Sequence, residues 1–459
     1  MQSASLSHLA PQLSRALEGW RPPRAQEDGF ALVSVSAPLA PLENVFAAGH
    51  GEHSFLWAPS GANQCVGQGI AAEVIASGDD RFARVRHEVQ ALLERVKSAG
   101  DEGPSPRVFG GFSFHPQAPS GALWDGFHAA HFVLPRLCYA RARDQAWISL
   151  CVRLSDLNEP ALIREHVSHS ISWLEGLMAR RATPPAAPPA SLRISNVPEL
   201  EGWQRLVAAI RSEIAAGRFQ KIVAARRALC RLDPMPTPPQ VLERLGEIAR
   251  DCTRFAVRRG DKLFLGATPE WLIRKQGHGF HTEALAGSRS SRDPDAEREL
   301  LSSHKDLREH GLVVEEILRA FGPLTSEIVT PPEPSIRRLR DILHLHTPIT
   351  GRLREATDVL DLVERLHPTP AVGGAPRVAA HRWIAQHEPE ERGWYASPVG
   401  WVDRSGDGEF VVALRSALLI DNVAHIFAGA GIVAESDADL EFRETELKLA
   451  AMINALGAS

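Results

Sequence analysis

Phe219-Gln220-Lys221-Ile222-Val223-Ala224-Ala225-Arg226 is a short apolar run with a β-branched centre, and it reads as a strand. Side chains alternate along a strand, so Lys221 shares a face with Phe219, Val223 and Ala225, a face expected to be buried. A buried ammonium needs a partner; without one it sheds its charge and becomes a usable base. The acidic residues available to it lie far downstream, at Glu270, Glu309, Glu441 and Glu444. A lysine and several carboxylates gathered from distant segments point to an enzyme, and to a divalent cation.

Outward from this stretch the chain alternates strand and helix signals without regular βαβ order. Strands are expected at Phe30 to Val35, Ser54 to Ala58, Ile70 to Ala76, Phe109 to Phe114, His131 to Ala140 and Ala146 to Leu154, the last two as an antiparallel pair. Cys252 to Arg258 and Lys262 to Thr268 read as a hairpin, followed late in the chain by Val399 to Asp403, Glu409 to Leu419 and Asn422 to Ala428. Helices are expected at Ser5 to Leu17, Arg81 to Ala99, Pro160 to Arg181, Glu199 to Ala216 and Asp439 to Leu456. The strongest helix signal is Asp295 to Phe321, with Leu300, Leu307, Val314 and Leu318 on helical spacing and Gly322-Pro323 ending it. Strands followed by long helices favour an α+β architecture, large antiparallel sheets covered by helices. Thr183-Pro184-Pro185-Ala186-Ala187-Pro188-Pro189 is the clearest composition break and reads as a linker or exposed loop. It divides an N-terminal part, residues 1–190, from a catalytic part, residues 191–459.

At 459 residues the chain is long enough for a large core. A net charge of −5 and a pI near 6.5 argue against nucleic acid or an anionic membrane as the main partner. The five cysteines are scattered and form no Cys-x-x-Cys pair, so a zinc site or a disulfide scaffold is not expected. Reduced thiols fit a cytoplasmic protein. Met1 to Arg24 lacks the basic start and apolar stretch of a signal peptide, and no run nears the ~18 apolar residues of a membrane span.

Several residues stand out chemically. Glu441, Glu444 and Lys448 share one face of the last helix: either a solvated, dipole-matched helix start, or carboxylates for Mg2+ beside a lysine for an anion. Glu309 borders the apolar stripe of the long helix, with Asp306 as its rival for a ligand role. Arg415 interrupts the apolar run Phe410 to Leu419 and needs a carboxylate, from the protein or from a substrate. Thr268-Pro269-Glu270 ends a strand and presents an acid. Ala428-Gly429-Ala430-Gly431-Ile432 has no Walker or Rossmann spacing and offers tight sheet packing or open backbone N–H groups. His344, His346 and His367 lack metal-ligand spacing, and the Gly-x-Ser-x-Gly nucleophile elbow is absent.

Taken together these segments resemble the chorismate-utilising enzymes, the family of isochorismate, anthranilate, aminodeoxychorismate and salicylate synthases. The resemblance runs from about Glu199 to Leu456. Its motifs occur in family order: Lys221 to Arg226, Gly266-Ala267-Thr268-Pro269-Glu270, Leu285-Ala286-Gly287-Ser288-Arg289 and Lys305-Asp306-Leu307-Arg308-Glu309-His310. Then come His344 to Gly351, His367 to Pro376, Tyr395-Ala396-Ser397-Pro398-Val399-Gly400, and Gly429 to Val433 through Glu441-Phe442-Arg443-Glu444. Trp57 and Phe109-Gly110-Gly111-Phe112 match more loosely. Within the family the isochorismate synthases look most similar. Ala286 stands where aminodeoxychorismate synthases typically carry a nucleophilic lysine, and Ala371 where the amine-forming and salicylate enzymes typically carry threonine. Ser397 departs from the usual glycine.

The resemblance implies a single α/β unit built on an antiparallel sandwich, the chorismate-utilising enzyme fold, with the proline-rich stretch as a surface loop. It implies an Mg2+-dependent isomerisation of chorismate, with Lys221 as the base that activates water and Glu270 as the acid at the departing hydroxyl. Glu309 and Glu444, helped by Glu441, would hold Mg2+. Gly287, His344, Ala371, Tyr395, Arg415, Gly431 and Lys448 would bind the substrate. A monomer without a glutaminase partner is expected, its product feeding menaquinone, siderophore or salicylate formation. A salicylate synthase, which goes on to eliminate pyruvate, is the alternative.

Overall fold

The computed structural model describes residues 9–19, 28–49, 53–61, 63–99, 103–179 and 191–457. The proline-rich stretch 183–189 lies outside these residues, as do both ends of the segment 1–24. Among the described residues twenty-one strands join through hydrogen-bonded pairing into one network. Among the described residues every pairing is antiparallel except that of Phe30–Val33 with Val96–Ala99.

The network folds over on itself as two layers. The first runs from Lys221–Asp233 through Val423–Ile432, Ser416–Ile420, Lys262–Thr268 and Thr253–Arg259 to His53–Ala58 and Gln64–Ala76. The second runs from Arg107–Phe112 through Pro398–Asp403, Gly408–Val412, Trp271–Gln276 and Gly279–Ser290 to Ile342–Leu353. Strand Ala130–Ala142 joins them, pairing at its start with Arg107–Phe112 and along its length with Gln64–Ala76. Pairings of His53–Ala58 with Thr253–Arg259, and of Arg107–Phe112 with Pro398–Asp403, carry the sheet across residue 190.

Period-two alternation divides the apolar side chains between two cores. Phe55, Trp57, Phe255, Val257 and Phe264 point between the layers, where Phe55 meets Phe109 with ring centroids 4.6 Å apart. Their neighbours Leu56, Ala58, Ala256, Leu263, Leu265 and Ala267 point outward under helices Leu42–Ala48, Pro238–Ile248 and Ala438–Ala455. No described helix is long and apolar enough to cross a membrane.

Three expectations are corrected. The helix from Arg81 stops at Glu94, because Val96 is buried and Val96–Ala99 pairs parallel to Phe30–Val33. The long helix is two, Ala296–Ser302 and His304–Phe321. Ser303 is extended between them, its hydroxyl capping the second by accepting from the Asp306 N–H. The buried stripe of that second helix is Asp306, His310, Val313, Ile317 and Phe321, one position away from the expected Val314 and Leu318. The strand Glu409 to Leu419 is also two, Gly408–Val412 and Ser416–Ile420.

Candidate active site

The broken strand is what builds the site. Gly408–Val412 pairs in the second layer and Ser416–Ile420 in the first, so residues 413–415 carry the chain from one layer to the other. The neighbouring chain crosses beside it: Lys262–Thr268 pairs with Ser416–Ile420, and Trp271–Gln276 with Gly408–Val412. Glu270 sits in this second crossing and Arg415 in the first, joined nearby by the Val412 N–H donating to the Glu270 carbonyl at 3.1 Å. Arg415 takes a left-handed backbone, φ 48°, which an L-residue adopts at a cost of about 1–2 kcal/mol. Gly266 lies against it, and a Cβ there would stand 2.8 Å from the Arg415 carbonyl oxygen.

Glu270 and Arg415 open onto one cavity. Gly287, His344, Ala371, Tyr395, Gly431 and Lys448 also line it, as do Glu309 and Glu444. Of the residues expected from the sequence, two stand off the cavity wall. Glu441 is buried behind it, and Lys221 is fully buried beneath Glu309 and Gly431.

Lys221 Nζ lies 2.9 Å from Glu309 Oε1, but the angles are not those of a hydrogen bond, so the ammonium is paired by charge without an aligned acceptor. Gly431 makes room for this pair. A Cβ at that position would fall 2.5 Å from Glu309 Oε1 and 2.6 Å from Lys221 Cε. The strand pairing places Gly431 opposite Val223.

Glu270 is buried, and burial, followed by the charge of Glu283, pushes its carboxyl up to about 8. It is therefore a neutral acid near pH 7. Glu283 is itself fixed, accepting from the Trp271 N–H at 2.9 Å, Arg337 at 2.9 Å and His346 at 2.9 Å. Arg415 donates to His344 Nε2 at 3.2 Å. His344 Nδ1 donates to the Gly287 carbonyl at 3.1 Å, which sets its tautomer. Burial, and then Arg415, hold the imidazole well below its ordinary pKa, so it is neutral. The Gly287 carbonyl is presented by a bulge in strand Gly279–Ser290, where Gly287 has φ 74°. Among the described residues no carboxylate forms an ion pair with Arg415 within 4.0 Å. The guanidinium is held by a neutral histidine and has no protein carboxylate paired to it among the described residues.

Tyr395 is buried with its ring stacked on Phe427, centroids 5.2 Å apart, and burial raises its hydroxyl to about 12. Asp306 is paired with Arg289 at 2.9 Å and, unlike Glu309, does not line the cavity. Lys448 donates to the Gly429 carbonyl at 2.9 Å and pairs with Glu444 at 2.5 Å. Burial works against the charge of Glu444, but Lys448 holds its carboxyl below the ordinary value. Glu441 is pushed up by burial and then by the charge of Glu444, while Lys305 holds it at 2.8 Å.

The carboxylates suit a hard cation. The donors are all oxygen, and Glu441 and Glu444 repel one another one helical turn apart on a helix capped by Asp437. No three His, Cys, Asp or Glu side chains form a ready cage among the described residues. Mg2+ commonly takes one or two protein carboxylates and completes its shell with water and substrate, which matches Glu309 and Glu444 on the cavity wall.

Sequence reasoning missed Ser288, whose hydroxyl contacts both His344, at 3.0 Å, and Glu444. It also missed Arg392, which lines the cavity and bonds to Glu388, Val223 and Val372. The spacing of Glu388 and Arg392 was visible, but helix Arg377–His387 ends before it, so no helical rule applied.

A family model described as chorismate binding enzyme matches residues 18–457. A salicylate biosynthesis isochorismate synthase of Pseudomonas aeruginosa is 40% identical over 398 residues, 85% of this chain and 82% of that protein. The isochorismate synthase MenF of Bacillus subtilis is 33% identical over 458 residues, 95% of each. The structure of the menaquinone-specific isochorismate synthase of Escherichia coli superposes with a TM-score of 0.78 at 27% identity, over 99% of both chains.

Proposed function

This chain belongs to the chorismate-binding enzyme family, and from that premise we propose that it is an isochorismate synthase, converting chorismate to isochorismate. The relatives' names span menaquinone and salicylate biosynthesis, and isochorismate formation is the chemistry they share. Water adds at ring carbon C2, the double bonds shift, and the C4 hydroxyl departs as water. The observation that carries this reading is one cavity wall bearing both a neutral carboxylic acid, Glu270, and an arginine without a protein carboxylate, Arg415.

Each residue then has a task. Arg415, oriented by neutral His344, binds a substrate carboxylate through its planar fork. Glu270 gives its proton to the leaving C4 hydroxyl. Lys221 accepts a proton of the attacking water in its neutral amine form, the ammonium having first released its own proton to solvent as it parts from Glu309, and Gly431 leaves it the space to move. Glu309 and Glu444, with Glu441 behind them, would hold Mg2+, which when bound neutralises the C1 carboxylate and charge developing on the ring. Ala286 and Ala371 line the cavity with methyl groups and leave room for water as nucleophile. All these residues come from one chain, which acts without a glutaminase.

The test is to incubate the purified protein with chorismate, with and without Mg2+, and to separate the products. Isochorismate formed only with metal and without pyruvate is the expected result. Stoichiometric salicylate and pyruvate would instead establish the lyase reading. No turnover with Mg2+, or turnover only with added ammonia, would overturn the proposal.

A further inference from the structure

One edge of strand Lys221–Asp233 is regular, pairing with Val423–Ile432 from Ile222 to Arg231. The opposite edge is assembled from pieces. Lys221 and Ile222 pair with Ala375 and Gly374, the Val223 N–H donates to the Gly373 carbonyl at 2.8 Å, and Arg227 to Asp233 pair with Ser191–Val197. Between these pieces the Val223 carbonyl and the Ala225 N–H face no strand. Backbone groups left without partners in a buried site are destabilising.

Two side chains take their place. Glu388 Oε1 accepts from the Ala225 N–H at 3.0 Å, and Arg392 donates to the Val223 carbonyl at 2.8 Å. The two are joined in a fork: Arg392 Nε donates to Glu388 Oε2 at 2.7 Å, and a second guanidinium nitrogen reaches Oε1. The remaining arm of Arg392 donates at 2.7 Å to the carbonyl of Val372, the residue after Ala371. The guanidinium is 2% exposed and lies 4.1 Å over the Phe114 ring. Val223, Ala371, Val372 and Arg392 all line the cavity.

We propose that Glu388 and Arg392 are positioning residues: a side-chain stand-in for an absent strand that sets the Lys221 strand and the Ala371 loop against each other beside the cavity. Arg392 holds both carbonyls at once, and Lys221 is two residues from one of them. A displacement of about 1 Å at a reacting group costs on the order of 100-fold in rate.

The inference rests on Lys221 acting in turnover, and the experiment separates the two. Arg392→Lys keeps the charge and loses the fork; Glu388→Gln keeps an acceptor for Ala225 and loses the ion pair. Each is expected to lower kcat by about 10- to 100-fold while KM for chorismate changes less than about threefold. In a Lys221→Ala background each should change the residual turnover by less than about threefold, because the residue being positioned is gone. An equal loss in both backgrounds would overturn the positioning role. Wild-type turnover by Lys221→Ala alone would instead remove the premise. Hydrogen exchange on the unaltered protein covers the case in which neither variant folds. The Ala225 amide should exchange as slowly as that of Val223, and exchange at the rate of an open sheet edge would overturn the inference.

Discussion

Replacing Glu270 by glutamine should stabilise the fold as pH rises while removing turnover. An ordinary glutamate loses its proton near 4.5, whereas in the folded chain burial, and then Glu283, keep Glu270 protonated to about 8. Its stabilising contribution is complete below 4.5, where folded and unfolded chains both hold the proton. It is lost as pH climbs toward 8, because the unfolded chain releases that proton first. Over this interval of about 3.5 pH units the wild type loses about 1.4 kcal/mol per unit, roughly 5 kcal/mol in all, relative to a side chain that does not titrate. Glutamine is that side chain, nearly the same in shape. Urea unfolding of both proteins at pH 5 to 9, without metal or substrate, reads the difference directly. The advantage of Glu270→Gln should grow by about 4 kcal/mol between pH 5 and 8 and then level off. The same variant cannot donate a proton and should lose about 10²–10⁴-fold in kcat, while wild-type kcat should decline above pH 8. A stability difference that changes by less than about 1 kcal/mol from pH 5 to 8 would refute the neutral-acid assignment, whatever happened to activity.

Arg415→Lys replaces a planar fork by a point charge and leaves His344 Nε2 without its donor. KM for chorismate should rise at least about tenfold, equivalent to about 1.4 kcal/mol, and an unchanged KM would count against carboxylate binding by Arg415. Gly431→Ala puts a methyl group 2.5 Å from Glu309 Oε1 and 2.6 Å from Lys221 Cε. A loss of about 1–3 kcal/mol in stability and a fall in kcat are expected, and a wild-type melting temperature together with wild-type kcat would contradict the crowding. Chelation by EDTA should abolish turnover reversibly, restored by Mg2+ and not by Na+. The far-UV circular dichroism should stay unchanged, because Lys221, Lys305 and Lys448 already pair with Glu309, Glu441 and Glu444. Full turnover after exhaustive chelation would remove the cation from the mechanism.

Lys221 was legible because its signal is local: one charged residue among β-branched and small neighbours, on the face that alternation assigns to the interior. Glu441, Glu444 and Lys448 were legible as a group because helical spacing alone puts them on one face. The hairpin Thr253–Arg259 with Lys262–Thr268 and the antiparallel pair Ala130–Ala142 with Gln145–Arg153 followed from short turns between apolar runs. Helix and strand breaks were less visible. Ser303 is an ordinary helix residue until its hydroxyl caps the next turn, and Phe410 to Leu419 is apolar on both sides of its break.

Local pattern thus determined which residues have to be buried, which helices carry the acidic face, and, through the order of short motifs, which family the chain resembles. The tertiary structure alone decided how they meet. Two neighbouring strands change layer at the same place, so Glu270 and Arg415 face one cavity although 145 positions separate them. Packing also chose the partners that composition left open: Asp306 goes to Arg289, Glu309 to Lys221, and Arg415 to a neutral histidine instead of a carboxylate. The reason is that charge and hydrogen-bond partners are selected by distances of about 3 Å. Spacing along the chain encodes such distances only within a helix turn or across a short hairpin. Between segments a hundred residues apart, only the assembled sheets set them.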